Sequence, residues 1–452
     1  MSESRPYYYP RSLFGPLVLV TIGVLFLLGN IGIIHYNTMR DWFARYWPVL
    51  LIVWGLTKLV EYLWARRVGQ PAPGIGAGGV VLIVFLVMFG MAASTASRVN
   101  WGEFGFDDDF GDNIFGTKYE FTENISQPVQ AGATVKVLGA RGNVSVVPSP
   151  DDQAHLFVHK YVRTGSQNEA NQLNDSTHPK FELQGGTLVL EMVSGNFDRG
   201  RFDVDLQVPR SSALSITTRR GDIHVSQRDK DVELESTRGD IFVEETKGNA
   251  TVRLRHGDVT VKNVAGNVNV DGTVNDSTVS DVGGTLTFSG SYTGDIQLSH
   301  IAKPVRFNST RTSLELAKLD GELTMDRGDF RGEAITGPLR LDTQAKDIDL
   351  KNVNGDVHID DTRGSIEVHT AMPLGKVEIT NRAGEINVGL PEKAGFQVDA
   401  QSDNGDITSD FQLSVNNAGR NATASGTVGK GGPEVRLKTN RGTIQIHKDA
   451  TQ

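Results

Sequence analysis

The sequence contains three copies of a tripeptide that can take part in recognition. Arg-Gly-Asp occurs at residues 220–222, 238–240 and 327–329. A cell-attachment motif needs this exact tripeptide, whereas a structural turn needs only glycine and a small polar neighbour, because these residues tolerate positive φ. A turn would therefore recur along the chain with a variable residue in front of it, and the surrounding sequence can distinguish the two interpretations.

Three other patterns could bind a metal ion, and each lacks a required feature. His155 and His159 share one face of a strand, but their Cα atoms would lie about 13 Å apart, too far for one ion. The acidic run at 107–109, with Asp112 and Asn113, fits no EF-hand loop. Calcium-binding nonapeptide rolls need the pattern G-G-x-G-x-D-x-U-x, which this chain does not repeat. We therefore predict no metal site and no cofactor.

Catalytic motifs are absent as well. The chain contains neither G-x-S-x-G nor a P-loop. Residues 74–79 match G-x-G-x-x-G, yet they open an apolar stretch instead of joining a strand to a helix, and small residues there favour close helix packing. The absence of cysteine excludes disulfides and thiolate metal sites. We predict no catalytic or cofactor-binding residues, and that the chain is not an enzyme.

A nine-residue unit, G-[D/N]-φ-x-φ-x-x-x-x with φ apolar, recurs over the second half of the chain. Alternation with period two predicts a short half-buried strand in each unit, and a sustained short period is typical of a solenoid. Gly-Asp units alternate with Lys-Asp or Gly-Asn units, so we predict two units, or eighteen residues, per coil and six coils for the first twelve units. The units start at 221, 230, 239, 248, 257, 266, 275, 284, 294, 303, 312 and 321, then at 337, 346, 355, 364, 375 and 384.

The register of these units also bears on the tripeptide. His256, Thr293 and Asn354 precede Gly-Asp at equivalent positions, so the repeat favours a turn over an attachment motif. The copy at 327–329 lies off the repeat, so that if any copy protrudes, it should be this one. His224 and His358 occupy the outward fourth position. The third and fifth positions should face inward, and they are Ile223/Val225, Val232/Leu234, Ile241/Val243, Ala250/Val252, Val259/Val261, Val268/Val270, Ser277/Val279, Leu286/Phe288, Ile296/Leu298, Val305/Phe307, Leu314/Leu316 and Leu323/Met325.

The first hundred residues have the composition of a membrane region. Apolar stretches at 13–34 and 74–96 carry no charge and are long enough to span a bilayer, and a shorter one at 48–64 contains Lys58 and Glu61. All five tryptophans lie in or beside this region, as in an interfacial belt. With three spans, the side of the membrane that carries the N-terminus has four arginines (5, 11, 66 and 67), and the opposite side has three (40, 45 and 98). This distribution favours an internal N-terminus and an external C-terminal bulk.

Four segments follow from these patterns. They are a transmembrane region of about three helices (1–99), an acidic, Phe-rich linker (100–118), an irregular β region (119–210) and a β-solenoid (211–449). Lys and Arg outnumber Asp and Glu by 8 to 3 in residues 1–100, so the rest of the chain is acidic, which argues against nucleic acid as a partner. The predicted fold class is a membrane α-helical N-terminus followed by an all-β solenoid.

Two resemblances accompany this interpretation. The passages DVDLQVP (203–209), LSITT (214–218), NGDI (404–407) and LKTNRGTI (437–444) resemble the bacterial putative-adhesin family of β-strand repeats over about 119–448. The passages GPL (15–17), GVLFLLGN (23–30) and WPVLLIVWGL (47–56) resemble the LiaI/LiaF-type transmembrane region. The second resemblance implies an association with envelope-stress signalling in bacteria. Neither family supplies catalytic residues.

The sequence thus predicts a multi-pass protein of the bacterial inner membrane, with an extracytoplasmic solenoid acting as an adhesin-like structural or interaction module. Its partners would be the lipid bilayer and an envelope protein or polysaccharide, and its oligomeric state is open. One alternative is an envelope-stress regulator whose transmembrane helices contact a sensor kinase. A second is a polysaccharide-acting β-helix enzyme with carboxylates on its outer face.

Overall fold

The computed structural model describes residues 117–129, 132–139, 141–192 and 200–449. All of them lie in the second of the two units into which the chain divides, Asn113–Gln452. This part is nearly all β, with one helix, α1 (Gln167–Ser176), and it contains no helix long and apolar enough to cross a membrane. The predicted spans at 13–34, 48–64 and 74–96, the glycine-rich 74–79 and the acidic 107–113 lie outside the described residues.

The strands of the region before the repeats, and of the first repeats, are mostly five to seven residues long. They are β1 (Thr117–Pro128), β2 (Thr134–Leu138), β3 (Val144–Pro148), β4 (Gln153–Thr164), β5 (Lys180–Gln184), β6 (Thr187–Glu191), β7 (Gly200–Val208), β8 (Ala213–Thr218), β9 (Ile223–Arg228), β10 (Val232–Ser236), β11 (Ile241–Thr246), β12 (Ala250–Leu254), β13 (Val259–Val264), β14 (Val268–Val274), β15 (Ser277–Val282) and β16 (Leu286–Tyr292).

The remaining strands include two long ones, β23 and β24. They are β17 (Ile296–Ile301), β18 (Val305–Ser309), β19 (Thr312–Leu316), β20 (Lys318–Met325), β21 (Asp329–Thr336), β22 (Leu339–Thr343), β23 (Asp347–Asp361), β24 (Ile366–Asn381), β25 (Ile386–Pro391), β26 (Phe396–Ser402), β27 (Ile407–Ser409), β28 (Ser414–Asn416), β29 (Ala422–Val428), β30 (Glu434–Thr439) and β31 (Ile444–Asp449).

Strand pairing arranges these elements into two long rows. Stack A runs in the order β1, β4, β7, β3, β9, β11, β13, β15, β17, β20, β21, β23, β24, β25, β31 and β27. Stack B runs in the order β5, β6, β2, β8, β10, β12, β14, β16, β18, β19, β22, β23, β24, β30, β26, β29 and β28. The long strands β23 and β24 contribute one half to each stack.

Successive units alternate between the two stacks. Val232 pairs in parallel with Ala250, and Ala250 pairs with Val268, an offset of eighteen residues in stack B. Ile241 pairs with Val259 at the same offset in stack A. Two units therefore make one coil in this part of the chain, as the repeat predicts.

The predicted inward positions form the core between the stacks. Every one of them is buried, including Ser277, whose hydroxyl accepts or donates no hydrogen bond within the described residues. Side chains of neighbouring coils pack on one another, and the rings of Phe288 and Phe307 stack with centroids 4.4 Å apart. Burial on this scale is the main source of stability for a fold made of short strands.

The prediction of six parallel coils is wrong, because the strand direction reverses after β17 and β18. Val305 pairs antiparallel with Leu316, and Ile296 pairs antiparallel with Met325. Only residues 310–311 separate β18 from β19, which is too short for the crossover that a parallel pair requires. The units at 312 and 321 therefore open a second set of coils. Periodicity cannot reveal this reversal, since an alternating pattern buries the same residues in either direction.

Glycine begins most units for two different reasons. In stack A, Gly239 has φ +126°, a backbone conformation that side chains disfavour, and an added Cβ would collide with the carbonyl of Gly221. In stack B, Gly248 has no such φ, and its Cβ would instead collide with the backbone of Lys230 in the preceding coil. Positive φ, which the repeat predicts at these turns, thus occurs at Gly239 but not at Gly248, while close approach between coils constrains both glycines.

The region before the repeats closes one end of the stacks, and it contains β1 to β7 together with α1. β1 begins at Thr117, so the end of the predicted linker is already strand. Lys160 of β4 is fully buried and donates to Glu123 of β1 and to Oδ1 of Asn174 in α1. A buried ammonium needs such partners, so this lysine ties the helix to the terminal strands.

Candidate functional site

The Asp or Asn beside each turn glycine forms a hydrogen-bonded ladder along stack A. The backbone N–H of Asp240 donates to Oδ1 of Asp222, and the N–H of Asp258 donates to Oδ1 of Asp240, both at 2.8 Å. Stack B has an equivalent ladder. Each side chain satisfies a backbone donor of the next coil, which gives these acids a structural role. The stack A ladder comprises Asp203, Asn143, Asp222, Asp240, Asp258, Asp276 and Asp295, and the stack B ladder Asp231, Asn249, Asn267 and Thr285.

The ladder also places like charges on adjacent coils. Burial raises the pKa of Asp240, and the carboxylates of Asp258 and Asp222 add to that increase, although the hydrogen bond from the Asp258 backbone opposes it. The ladder therefore stabilises the backbone at some electrostatic cost.

This geometry agrees with the turn interpretation of the first two tripeptides. Gly221 and Gly239 occupy turns with φ of +130° and +126°, and the carboxylates of Asp222 and Asp240 are engaged by the next coil. Arg238 is exposed but has no ladder contact. Neither aspartate is presented as a free recognition group.

The third tripeptide lies in the turn between β20 and β21. The prediction that it lies off the repeat is wrong, because Asp329 pairs in parallel with Asp347 at the same eighteen-residue offset as the other units. Arg327 and Gly328 are exposed. The backbone N–H groups of Gly328 and Asp329 donate to Oδ1 of Asp326 at 2.7 and 2.6 Å, which fixes the turn. The Asp329 carboxylate forms an ion pair with Arg331, so it already has a cationic partner.

A groove of about 430 Å³ on the outer face of stack A brings together aromatic and polar side chains. Val144, Val204, Ile223 and Ile241 of neighbouring strands point inward, so the residues on either side of each point outward. We call this site the aromatic groove. Its outward residues are His159 and Tyr161 of β4, Asp203 and Asp205 of β7, Asn143 and Ser145 of the β3 segment, Asp222 and His224 of the β9 segment, and Phe242 of β11.

Cross-strand register explains why these residues meet. Asp205 pairs with Ser145, Ser145 pairs with His224, and His224 pairs with Phe242, so one row of outward side chains crosses four strands. The small Ser145 lies in the middle of the row, and the rings of His224 and Phe242 lie 6.0 Å apart at its end. A small side chain between larger ones makes the surface concave.

Only some polar atoms of the aromatic groove are committed to the fold. Asp203 accepts from Arg201 at 2.7 Å and from the Asn143 backbone at 2.8 Å, and Asn143 Oδ1 accepts from the Asp222 backbone at 2.9 Å. Within the described residues, Asn143 Nδ2 and Ser145 Oγ make no hydrogen bond. The exposed Asp205 has its Oδ2 4.0 Å from Nε2 of His159. Donors and acceptors therefore remain for a ligand.

A second groove, of about 380 Å³, lies further along stack A and is strongly acidic. Oδ1 of Asp349 and Oδ1 of Asn387 are buried and accept no hydrogen bond from the described residues. Among those residues, no cluster of three or more His, Asp or Glu side chains is arranged to hold a metal ion. The acidic lining consists of Asp329, Asp347, Asp349, Glu367 and Glu385, beside Arg331.

His369 lies next to this acidic groove and bridges two carboxylates. Its Nε2 lies 3.0 Å from Glu367 and its Nδ1 lies 2.9 Å from Asp449. Burial opposes its protonation, but the hydrogen bonds to Glu367 and Asp449 outweigh that effect and raise the pKa of His369. The bridge joins β24 to β31 across Gly389 of β25, whose missing side chain leaves room for it. The arrangement holds three strands together.

The other histidines discussed from the sequence lie apart. His155 bonds to Ser126 and Asp151, while His159 faces Asp205 on the neighbouring strand. His224 is exposed, as its fourth position predicts, whereas His358 is partly covered and lies 3.7 Å from Glu378.

Sequence reasoning named no site residues and missed the aromatic groove. Its residues come from five strands that are not consecutive in the chain, and their pairing is not written in the local pattern. One signal was available. Phe242 is the only apolar residue at the fourth, outward position of the units that start between 221 and 321.

Two solved structures can be compared with the chain. A putative cell adhesion protein from Clostridium sporogenes is 13% identical, with a TM-score of 0.16, and the alignment covers 73% of this chain and 100% of that chain. A putative adhesin from Parabacteroides distasonis is 10% identical, with a TM-score of 0.24, and the alignment covers 73% of this chain and 97% of that chain. No curated protein matches the chain.

Two family models match the sequence, one in each of the regions for which a resemblance was inferred. The LiaI-LiaF-like match indicates that the chain is associated with a membrane. Residues 285–447 match the model of the Toastrack DUF4097 family, and residues 13–59 match the model of the LiaI-LiaF-like transmembrane region.

Proposed function

We propose that this is a multi-pass protein of the bacterial inner membrane whose β-solenoid lies outside the cytoplasm and serves as a rigid, adhesin-like interaction module. It acts by binding an envelope protein or polysaccharide and carries out no catalysis. The observation that carries the proposal is the continuous double stack. Buried side chains fill its core, ladder bonds join the coils as far as Asp295 in stack A and Thr285 in stack B, and the outward rows are not buried. The LiaI-LiaF-like match supports the membrane anchor.

A rigid stack suits binding because little conformational entropy is lost when a ligand contacts a preformed surface. The outward positions of its strands are mostly polar, and their side chains vary from coil to coil. The same backbone can therefore present different functional groups on successive coils. Function on such folds resides in the exposed surface and not in the scaffold.

Topology provides the first test. Alkaline phosphatase fused after Gln452 should be active, because the enzyme matures only outside the cytoplasm and the arginine distribution puts the C-terminal bulk there. An inactive phosphatase fusion, together with a fluorescent cytoplasmic reporter at the same site, would contradict the proposed orientation.

Capture of a partner provides the second test. A photo-crosslinking amino acid at the outward Thr260 of the full chain, in native membranes, should yield a defined adduct with an envelope component. The same amino acid at the buried Val261 serves as the matched control and should yield none. Equal labelling from both positions, or none from a scan of outward positions on both stacks, would overturn the interaction role.

The LiaI-LiaF-like match favours one alternative, in which the transmembrane helices regulate an envelope-stress sensor kinase. The interaction role requires the β-solenoid, whereas kinase regulation would require the transmembrane region. Deletion of residues 119–452 should abolish the interaction role, whereas residues 1–99 grafted onto another domain should retain kinase association only if the alternative holds.

A further inference from the structure

The aromatic groove has the chemistry of a carbohydrate subsite, and we propose that it binds a neutral sugar unit, a hexose or an N-acetylhexosamine, of an envelope glycan. The inference rests on the proposed function, because an extracytoplasmic solenoid is the setting in which the groove would meet such glycans. It goes further by assigning one site and one ligand class.

Sugar rings have two kinds of surface, and the groove offers a partner for each. The C–H groups on one face of a pyranose pack against aromatic rings, and the half-buried Phe242 with the exposed His224 provides an aromatic shelf at one end. The hydroxyl groups at the ring edge both donate and accept. They would meet the Asp205 carboxylate as an acceptor, the Asn143 Nδ2 as a donor and the Ser145 hydroxyl as either.

The charge of the groove excludes anionic sugars as the preferred ligand. Asp203, Asp205 and Asp222 line it. Among the residues that the structure describes, only Asp203 of the three has a close guanidinium partner, Arg201 at 2.7 Å. An anionic uronate or sugar phosphate would face uncompensated carboxylates at short range, which costs binding energy. A neutral ring carries no such penalty.

A cationic ligand is the other chemistry to weigh, since aromatic rings and carboxylates also bind ammonium groups. The ring of Tyr161 is already covered by Lys118, whose Nζ lies 4.2 Å from the ring centroid, so one candidate cation–π face is occupied by the chain itself. His224 and Phe242 meet at 37° and form an open shelf, not an enclosing cage. Neutral polar atoms also line the floor, which suits hydroxyl groups better than a point charge.

The position of Phe242 supports a binding role over a packing role. The residues that pair with it on either side are the exposed His224 and the half-buried Thr260, and the core beneath is filled by Ile241 and Val243. The phenyl ring therefore adds nothing to the inner core. Its truncation should leave the fold intact, which makes it a clean test residue.

The experiment uses the full chain in lipid nanodiscs and isothermal titration with tetrasaccharides up to their solubility limits. Neutral probes are chitotetraose, cellotetraose, maltotetraose and mannotetraose. Tetragalacturonate and tetramethylammonium are the anionic and cationic probes. At least one neutral tetrasaccharide should bind, and Phe242→Ala should weaken it about tenfold, as for loss of an aromatic anchor. Phe242→Trp should retain binding, and Asp205→Asn should weaken it.

Thr278→Ala is the matched control, because Thr278 occupies the same outward row two coils beyond Phe242 and lies outside the groove. It should leave affinity unchanged. Binding of none of the neutral probes, tighter binding of either charged probe, or a Phe242→Ala affinity equal to that of the parent chain would each overturn the inference.

The experiments distinguish a failure of the sugar assignment from a failure of the proposed function. If crosslinking at Thr260 still captures an envelope component while no neutral tetrasaccharide binds, the interaction role stands and the sugar assignment fails. If the phosphatase fusion shows a cytoplasmic solenoid, the proposed function fails whatever the groove binds.

Discussion

At the scale of single residues, the glycine and the aspartate of a repeat unit each have a distinct structural role. Gly239 meets two independent constraints, a φ of +126° and contact with the Gly221 carbonyl. Asp240, beside it, is held by its bond to the next coil. The preceding Arg238 meets neither constraint. The three positions of one tripeptide thus differ sharply in what they contribute to the fold.

Substitution of Gly239 should therefore be far more costly than substitution of Arg238. Gly239→Val places a β-branched side chain in a disfavoured backbone region and against the neighbouring coil, and should lower the free energy of unfolding by several kcal/mol. Arg238→Ala should change it by less than about 0.5 kcal/mol. Thermal melting of the full chain in detergent compares the two. Specific binding to integrin-bearing cells that disappears with Arg238→Ala would contradict the turn interpretation.

Asp361 predicts a pH dependence. It is 1% exposed, and its Oδ1 accepts no hydrogen bond from the described residues. Burial raises its pKa to about 6, although backbone N–H groups of Thr362, Arg363 and Lys346 oppose the change. The folded state thus holds the proton more tightly than the unfolded chain. The stability gained from that proton is complete below pH about 4 and is lost as the pH rises through about 6.

Asp361→Asn removes the buried charge and should stabilise the protein at neutral pH by about 1–3 kcal/mol, since one pKa unit corresponds to about 1.4 kcal/mol. The gain in melting temperature should shrink as the pH falls toward 4. The exposed neighbour Asp360→Asn is the control and should change little at either pH. A gain from Asp361→Asn that is the same at pH 4 and pH 7 would exclude the carboxyl titration as its cause.

At the scale of strands, local patterning predicts which residues are buried but not how strands are ordered. Every residue that the alternation assigns to the inward face is buried, because the period of two is a property of one strand. The reversal between β18 and β19 and the meeting of β4, β7, β3, β9 and β11 depend on pairing between distant segments. No local period encodes that pairing, and for this reason the aromatic groove could not be assembled from the sequence.

Strand β15 offers a sharp test of the inward assignment. Val279 is 1% exposed, and the adjacent Ser280 points outward beside Lys262 of the neighbouring strand. Val279→Asp should destabilise the fold by several kcal/mol or force protonation of the new carboxyl, because it buries an unpaired charge. Ser280→Asp should be nearly neutral. Urea unfolding of both variants measures the difference, and equal effects would mean that the inward face is misassigned.

At the scale of the whole molecule, the coil of eighteen residues is the unit of construction. Removal of residues 249–266 deletes one strand from each stack and brings Asn267 into register with Asp231, so that both ladders can re-form. We expect this variant to fold and to melt close to the parent chain, because stability in repeat proteins is nearly additive over coils.

Removal of residues 249–257 is the matched control. It deletes half a coil, so every following strand would fall into the wrong stack relative to its partner, and we expect loss of cooperative melting. Circular dichroism and melting of the two deletions compare them directly. Cooperative folding of the nine-residue deletion with native-like stability would contradict the alternation of units between stacks.

The long rows of paired strands also determine how the molecule would carry mechanical load. Hydrogen bonds between strands run along the stack, so tension between its two ends pulls each strand pair apart in sequence instead of shearing them together. Stack A contains fifteen strand steps, a contour of about 70 Å at about 4.8 Å each. The aromatic groove, however, lies on strands at the β1 end. A glycan held there would transmit force through only the first few strand pairs, and we expect the coils beyond β11 to remain unloaded.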